Sequence, residues 1–246
     1  MAFSENFYGD IYLKTHLPLF SEDSNEKEAA FYAEILDLPI GSSILELPCG
    51  FGRHAIPLAR FGYQVTALDN SEKFIELAKE NSKGLENVKF MLEDMRNISF
   101  NSEFDAVVNA ATGFGYFSDQ ENFDLLKKIS QSLKKGGKLM MEAINREPTV
   151  TKMSQNGLTW ILYPNHSVFL AMNKYDIFTG RWNSEQMFVE NGELTSQQLE
   201  IRLYTLPEMK FLMEQVGLEI YDCYGDKNKN DYSEKSESMI ILAKKV

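Results

Sequence analysis

The sequence predicts an α/β protein, in which a parallel β-sheet has helices on both faces and an antiparallel sheet is inserted late in the chain. Two observations support this fold class. Between residues 42 and 146, short apolar runs alternate with helical patterns, and this order is typical of a parallel sheet. From about residue 147 to 204, polar and apolar residues alternate without a helical period, which is typical of antiparallel strands.

The elements of the parallel part follow one another along the chain. Apolar residues at helical spacing predict a helix over residues 26–38, which Pro39 ends. We then expect strands over residues 42–47, 63–68, 88–92, 104–108 and 138–143, and helices over residues 53–61, 72–81 and 123–133. A helix over residues 207–216 and two adjacent strands over 218–224 and 239–243 complete a seven-stranded sheet whose last strand returns antiparallel.

The inserted segment carries two hairpin signals. Asn191-Gly192 stands between two extended runs, and Thr179-Gly180 is a weaker signal of the same kind. We therefore predict roughly four antiparallel strands here. The chain divides into an N-terminal helical cap (1–41), a main domain (42–146 and 205–246) and an inserted β sub-domain (147–204). The sub-domain is expected either to cover a ligand cleft or to form a homodimer interface.

Composition limits the classes of function. The 246 residues carry a formal net charge of −11. A protein that holds a polyphosphate backbone generally shows a basic face, so we expect no nucleic-acid partner. Two distant cysteines, Cys49 and Cys223, give neither a disulfide framework nor a zinc signature, and Cys49 is expected to be a small buried side chain. Without a secretory pattern or an apolar run of about 20 residues, we expect a cytoplasmic protein and no membrane partner.

The run ILELPCGFGRHA, residues 44–55, ends the first strand with a glycine-bearing turn. Gly50 and Gly52 tolerate a positive φ and let a ligand approach the backbone, whereas Pro48 has a fixed φ and no N–H, so that only its carbonyl can bond. Asp69 ends the second strand at about the separation expected of a carboxylate that holds ribose hydroxyls. The turn predicts a site for an adenosine-type ligand and leaves open which adenine cofactor it takes.

The rest of the chain separates the alternatives, because a dinucleotide fold needs a second mononucleotide-binding half and this chain instead leaves the parallel sheet. The informative segments are FYGDIYLKTHLP, ILELPCGFGRHAIPLARFGYQVTALDNS, MLEDMRNISFNSEFDAVVN, GFGYF, LKKGG, FTGRW, RLYTLPEMKFLMEQVGLEI and YGD. With these segments the chain resembles, over nearly its full length, the class I S-adenosylmethionine-dependent methyltransferases. The resemblance is to the small-molecule branch whose first motif reads LPCGxGRHA.

This resemblance implies a Rossmann-like sheet that binds S-adenosylmethionine and releases S-adenosylhomocysteine. The implied cofactor residues are Glu46, Pro48, Gly50, Gly52, Arg53, Asp69, Asn70, Asp94, Met95 and Asn109. Among them, Asp69 would hold the ribose and Asp94 the adenine amino group. Glu46, Arg53 and Asn109 would lie beside the methionine part, although Arg53 could equally pair with a surface acid.

The methyl acceptor is expected near the segment after the fourth strand, NAATGFGYF. Enzymes that methylate planar amide or adenine nitrogens have Asn/Asp-Pro-Pro-Tyr/Phe at this place, and this sequence lacks that motif. We therefore expect a small-molecule acceptor with an aliphatic amine, a hydroxyl or an activated carbon, and favour the amine. The expected acceptor residues are Phe114, Tyr116, Phe117 and Arg146. Core packing is the alternative for the aromatic ones.

Three N-terminal residues are the catalytic candidates. Tyr8, Tyr12 and His16 repeat at helical spacing and would share one helix face. Related enzymes cover the cofactor with an N-terminal segment whose tyrosines lie near the transferring methyl, while a plain amphipathic helix is the alternative. No His/Glu cluster has metal-ligand spacing, so no metal is expected. A non-catalytic cofactor-binding protein and an NAD(P)-dependent oxidoreductase remain alternative functions.

Overall fold

The structure is a computed structural model that describes residues 10–246, so the candidate Tyr8 lies outside the described residues. Helix α1 (Asp10–His16) is followed by a 3-10 turn (Leu17–Leu19) and by α2 (Glu22–Leu36). A capping box on Ser21 begins α2, and Asp37 in the left-handed conformation ends it just before Pro39.

The remaining helices are α3 (Ala55–Arg60), α4 (Glu72–Asn81), α5 (Asp119–Ser132), α6 (Arg146–Gln155) and α7 (Leu206–Gln215). The strands are β1 (Ser43–Glu46), β2 (Gln64–Asp69), β3 (Val88–Leu92), β4 (Phe104–Asn109), β5 (Leu133–Ile144), β6 (Leu158–Leu162), β7 (Val168–Asp176), β8 (Arg181–Glu190), β9 (Glu193–Arg202), β10 (Leu218–Tyr224) and β11 (Ser238–Lys245). No helix within residues 10–246 has the length and apolar character needed to cross a membrane.

The main sheet has seven strands in the order β10-β11-β5-β4-β1-β2-β3. Strands β1 to β5 pair in parallel, and β11 runs antiparallel to both of its neighbours, β5 and β10. This confirms the predicted mostly parallel, Rossmann-like sheet. The chain moves from β1 to one side and later returns to β4 on the other, so the space above these two strands is the switch point at which such sheets bind ligands.

The core lies on both faces of this sheet, because successive side chains of a strand point to opposite sides. On one face Leu45 packs in a cluster with Leu126 of α5 and Met209 of α7. On the other face Ile44 packs with Leu58 of α3 and other residues of the helices α2, α3 and α4. The two layers hold the carboxyl ends of β1 to β4 along one edge, where the candidate site residues lie.

The insertion confirms the predicted antiparallel sheet but begins differently. Strands β6 to β9 form a separate four-stranded sheet in sequence order, and Asn191 and Gly192, with φ of 53° and 82°, form the predicted tight turn. The insertion starts, however, with helix α6, where no helix was expected. The sequence of α6, REPTVTKMSQ, has no apolar stripe from which a helix could be predicted, and in the structure none of its residues is buried.

Candidate cofactor and acceptor site

A cleft opens at the carboxyl ends of β1 to β4 and has an empty volume of about 820 Å³ with its mouth included. Such a volume is typical of small-ligand sites. Eleven of the residues that line it are sequence candidates: Tyr12, Glu46, Pro48, Gly50, Arg53, Asp69, Asn70, Asp94, Met95, Tyr116 and Phe117. Further walls that the sequence did not single out include Phe51, Phe74, Glu93 and Gly113.

The two glycines of the turn have different tasks. Gly50 has a φ of 52°, and a Cβ placed on it would meet nothing within 4 Å, so it leaves open space in the cleft wall. A Cβ on Gly52 would instead lie 3.0 Å from the ring of Phe90 and 3.2 Å from Ala78. Gly52 does not line the cleft, which corrects the expectation that it faces the cofactor. Its missing side chain allows the turn to pack against α4 and β3.

Asp69 lies in the cleft wall at the end of β2, as the sequence predicted. One of its oxygens accepts a hydrogen bond from Gly50 N–H and the other from Ser71 N–H, both at 2.9 Å. Burial raises the pKa of Asp69 to about 6, in spite of these bonds, because it disfavours the charged form. The carboxylate therefore fixes the glycine turn and still has lone pairs for a further donor.

Glu46 ends β1 with a completely buried side chain. Its Oε1 lies 3.3 Å from Nδ1 of His54, and within residues 10–246 its Oε2 has no hydrogen-bond partner. A buried carboxylate oxygen without a partner is costly. Because Glu46 also borders the cleft, this oxygen is placed to receive a cationic or N–H donor of a ligand.

Asn109 was expected beside the methionine part of the cofactor, but the structure places it behind the cleft wall. Its Nδ2 donates to the carbonyl of Leu47 at 2.6 Å and so ties the end of β4 to β1. Gly113 lies against the amide and against Pro48, where any Cβ would come within 2.5 Å of the proline ring. Asn109 therefore shapes the wall and does not itself line the cleft.

Arg53 pairs with an acid, as one of its two expectations had it, and its predicted contact with the cofactor carboxylate stays a prediction. Its Nη1 donates to Glu28 Oε2 at 3.0 Å, and its guanidinium stacks over the ring of Phe20 at 4.4 Å. It also borders the cleft. A planar guanidinium has five N–H donors, so the bond to Glu28 leaves others for a carboxylate in the cleft.

Asp94 and Met95 border the cleft after β3. Asp94 accepts hydrogen bonds from the guanidinium of Arg96, the shortest at 2.6 Å, and from Arg96 N–H. Burial raises the pKa of Asp94, but these bonds outweigh it, so the pKa lies below its ordinary value. Asp94 is therefore a charged acceptor, and the buried thioether of Met95 supplies the apolar surface beside it.

Helix α1 covers one side of the cleft. Tyr12 and His16 stack on the same helix face with ring centroids 4.4 Å apart, as the spacing predicted, and Tyr12 also meets the edge of Phe74 at 5.6 Å. Tyr12 borders the cleft. Burial raises the pKa of Tyr12 and lowers that of His16, so the phenol is protonated and the imidazole is neutral near pH 7.

The expected acceptor residues separate into two groups. Tyr116 and Phe117 border the cleft. Phe114 is buried in the core against Tyr204, with ring centroids 5.6 Å apart, so the packing alternative holds for it. Arg146 lies 3.3 Å from Glu147 and borders a different, polar cleft beside the hairpin that joins β7 and β8. Neither residue is part of the main cleft.

A buried charge cluster behind the cleft was not found from the sequence. His54 lies between two carboxylates, Glu46 and Glu28, at 3.3 and 3.2 Å. Lys227, from the loop before β11, pairs with Glu28 at 2.6 Å and lies 3.6 Å from Glu142. The GRHA tetrapeptide was the only signal for this cluster, because its other members are far apart in sequence.

Two observations concern metals and thiols. Within residues 10–246, no group of three or more His, Cys, Asp or Glu side chains is arranged to hold a metal ion. Cys49 is buried, as expected, and burial raises the pKa of its thiol, which disfavours a reactive thiolate.

The fold and the cleft define a nucleoside-binding α/β protein whose site is built from carboxylates and a glycine turn.

Comparisons with known proteins identify this class more closely. A methyltransferase domain model matches residues 44–137. A demethylmenaquinone methyltransferase of Staphylococcus aureus (strain JH9) is 32% identical over 167 residues, which cover 62% of this chain and 68% of that protein. The solved structure of the CcbJ methyltransferase from Streptomyces caelestis has a TM-score of 0.80 at 20% identity and covers 98% of this chain and 99% of that one.

A second solved structure was determined with the cofactor. CalS10, an amino pentose methyltransferase from Micromonospora echinaspora with bound S-adenosylmethionine, has a TM-score of 0.70 at 18% identity and covers 98% of this chain and 99% of that one. The chain belongs to the S-adenosylmethionine-dependent methyltransferases. The open turn at Gly50 and the unpartnered oxygen of Glu46 fit this cofactor, which carries an ammonium group.

Proposed function

We propose that this enzyme methylates an amine nitrogen of a small molecule. The observation that carries the proposal is the cleft itself, which has an open glycine turn at its floor and aromatic side chains, Tyr12, Tyr116 and Phe117, along its wall. The similarity to CalS10, an amino pentose methyltransferase, supports an amine-bearing acceptor. The absence of the Asn/Asp-Pro-Pro-Tyr/Phe motif after β4 supports an aliphatic rather than a planar nitrogen.

S-adenosylmethionine, when bound, supplies an electrophilic methyl group on a cationic sulfonium. In this proposal Gly50 leaves room for the nucleoside, Asp69 accepts hydrogen bonds from the ribose hydroxyls and Asp94 accepts one from the adenine amino group. Glu46 Oε2 receives the ammonium of the amino acid part, and Arg53 receives its carboxylate. Contacts at both ends of the ligand fix its orientation, which is the main contribution that a protein makes to such a transfer.

We propose that Tyr12 and His16 of α1 orient and deprotonate the methyl acceptor. Tyr12, whose pKa is raised, can donate a hydrogen bond that orients a lone pair but cannot remove a proton near pH 7. An aliphatic amine is protonated near pH 7 and must lose this proton before its lone pair can attack, and the neutral imidazole of His16 is the proposed group that passes the proton to solvent. A hydroxyl acceptor would need a stronger base to remove its proton during attack, and neither Tyr12 nor His16 is such a base. This difference favours the amine.

Transfer of labelled methyl groups tests the proposal. The protein is incubated with methyl-labelled S-adenosylmethionine and a panel of aliphatic amines, each matched to the corresponding alcohol. We expect label on the amine members and an equal amount of S-adenosylhomocysteine. Label only on alcohols or on carbon would refute the choice of nitrogen, and cofactor binding without transfer to any compound would favour the non-catalytic alternative. Tighter binding of NAD(P) than of S-adenosylmethionine would contradict the whole assignment.

We also propose that the two faces of the inserted sheet have different tasks. On the inner face Phe169, Ala171 and Phe188 form a small buried cluster with Tyr163, whose hydroxyl donates to Thr15 of α1 at 3.2 Å. This face supports the cover of the cleft. The outer face is apolar and exposed, and we propose that it binds a second copy of the chain.

A further inference from the structure

The buried charge cluster behind the cleft contains three carboxylates, Glu28, Glu46 and Glu142, and three basic side chains, Arg53, His54 and Lys227. They come from α2, β1, β5, the turn before α3 and the loop before β11. Only Glu46 and two of the basic residues, Arg53 and His54, border the cleft. The others act on the cleft only through them.

His54 is held from three sides. Its Nδ1 lies 3.3 Å from Glu46 Oε1 and its Nε2 lies 3.2 Å from Glu28 Oε2. The ring of Tyr32 packs edge-on against it at 5.0 Å, and the hydroxyl of Tyr32 donates to Glu142 at 2.7 Å. A neutral imidazole has one N–H, so both carboxylate contacts are hydrogen bonds only when both ring nitrogens carry hydrogen. The ring of His54 therefore bridges the two acids, with one nitrogen facing each.

Glu28 is well suited to hold the ring of His54. Burial raises the pKa of Glu28, but hydrogen bonds from His54 and Lys227 and the charge of Arg53 outweigh it and hold the pKa far below its ordinary value. Glu28 is thus ionised near pH 7. Its position is itself fixed by Lys227, which pairs with it at 2.6 Å.

These contacts of His54 fix the orientation of the Glu46 carboxylate. His54 binds Oε1, and Oε2 is left without a partner among residues 10–246 although the side chain is 1% exposed. A carboxylate free to rotate in a buried site would exchange its two oxygens, whereas a bond to the fixed ring of His54 holds one oxygen back and directs the other. An ammonium group in the cleft would complete the set of bonds.

We propose that His54 and Glu28 are positioning residues that hold Glu46 in the orientation that receives the ammonium of the cofactor. His54 borders the cleft but is not proposed to contact the cofactor, and its effect passes through Glu46. Glu28 acts through His54 and also holds Arg53, whose Nη1 donates to it at 3.0 Å. The inference rests on the proposed contact between Glu46 and that ammonium. It predicts that His54 matters only for ligands that carry the amino group.

Calorimetric titration with two ligands tests this inference. One is S-adenosylhomocysteine, and the other is its desamino analogue, in which hydrogen replaces the amino group. We expect His54→Gln to weaken binding of S-adenosylhomocysteine on the order of tenfold, as for a lost charge-assisted hydrogen bond, and to change binding of the analogue by less than about twofold. Glu28→Gln should weaken binding of S-adenosylhomocysteine more than that of the analogue, although the loss of its bond to Arg53 weakens both. It provides the test if His54→Gln does not fold.

A double-mutant cycle tests whether the effect of His54 on ligand binding passes through Glu46. In the Glu46→Gln background, the substitution of His54 should cause no further loss, because the group that it positions is already gone. Equal losses for both ligands, or losses at 46 and 54 that add fully, would overturn the positioning role. His166→Gln, an exposed histidine in the β6–β7 turn, is the matched control.

The outcome separates this inference from the proposal on which it rests. If the wild-type protein binds both ligands equally well, Glu46 does not receive the ammonium and the proposed cofactor contact fails. If the wild type prefers S-adenosylhomocysteine but neither the His54 nor the Glu28 variant alters that preference, the contact stands and the positioning role fails.

Discussion

Asp69 combines a task in the fold with a proposed task in the site. Its oxygens accept hydrogen bonds from Gly50 N–H and Ser71 N–H, so it fixes the turn that leaves room in the cleft. A carboxylate has about four acceptor sites, so a hydroxyl group of a ribose can bind without breaking these bonds. Burial raises the pKa of Asp69 to about 6. The charge of this one residue therefore changes within the range in which enzymes are usually assayed.

The first prediction concerns pH. The folded-state pKa of about 6 lies above the ordinary 3.8, so the contribution of Asp69 to the free energy of unfolding is fully present below pH 3.8 and is lost as the pH rises through 6. Ligand binding has the opposite trend, because an ionised acceptor binds hydroxyl donors better. We expect S-adenosylhomocysteine to bind about tenfold more weakly at pH 5 than at pH 8. Calorimetry measures this, and a pH profile that stays equally steep in Asp69→Asn would contradict it.

The second prediction concerns the loss of the Asp69 carboxylate. Asp69→Ala should weaken cofactor binding by about 1–3 kcal/mol, because charge-assisted hydrogen bonds to the ligand and the support of the Gly50 turn are lost together. Asp105→Ala is the control, since Asp105 makes comparable bonds to Ser43 at the opposite edge of the sheet. Titration of both variants with S-adenosylhomocysteine decides the matter. An affinity of Asp69→Ala equal to that of the wild type would refute the ribose assignment.

Local sequence patterns predicted some of these residues and missed others for a physical reason. Gly50 and Asp69 follow from the geometry of a strand-to-helix turn and of the next strand end, which are nearly the same in every such sheet. Gly52 fits the same pattern, yet its space is used by Phe90. Glu28 and Lys227 could not be predicted, because the contacts of Glu28 with His54 and with Lys227 depend on how α2 and the loop before β11 pack.

At the scale of elements, α1 connects the cleft to the inserted sheet. Tyr12 faces Phe74 on the cleft side, while Lys14 pairs with Glu190 of β8 at 2.5 Å. The backbone of Thr15 accepts the hydroxyl of Tyr163. A helix of seven residues is too short to be stable by itself, so these contacts on both sides stabilise it over the cleft.

The third prediction tests that support. Tyr163→Phe removes only the hydroxyl that donates to Thr15, so the cover over the cleft should open more readily. We expect the dissociation rate of S-adenosylhomocysteine to rise roughly fivefold, which corresponds to one hydrogen bond of about 1 kcal/mol. Stopped-flow displacement measures the rate, with Tyr221→Phe on β10, whose ring is half exposed, as the control. Equal dissociation rates in the wild type and Tyr163→Phe would show that this contact does not hold the cover.

The elements themselves were predictable where pattern and turn chemistry agree. The alternation of strands and helices and the turn at Asn191-Gly192 each have a local cause. Helix α6 has none, since it packs no buried residue. Strand β5 extends back to Leu133, before the expected start at residue 138, because its pairing with β4 continues to Phe104. Tertiary pairing decides such boundaries, and a short sequence window does not contain it.

For the whole molecule, the notable feature is an apolar surface on the outer face of the inserted sheet. Leu158, Trp160 and Leu162 of the edge strand β6 are each about 60% or more exposed. Leu170 and Met172 lie directly opposite Trp160 and Leu158 on β7, so the five side chains form one patch. Soluble monomers rarely expose contiguous apolar patches beyond a few hundred Å². An edge strand beside such a patch favours a two-fold partner, in which the same patch covers itself.

The fourth prediction follows from this patch: the protein is a dimer, and Trp160→Glu makes it a monomer. A carboxylate at the centre of the interface would be buried without a partner, so we expect the dimer to weaken by about 2–4 kcal/mol. Phe211→Glu on α7, where the phenylalanine is 62% exposed, is the control and should remain dimeric. Each copy has a net charge of −11, so added salt should screen the repulsion and tighten the dimer. Sedimentation equilibrium at two salt concentrations measures both effects, and a monomeric wild type at micromolar concentration would exclude a second copy as the occupant of this face.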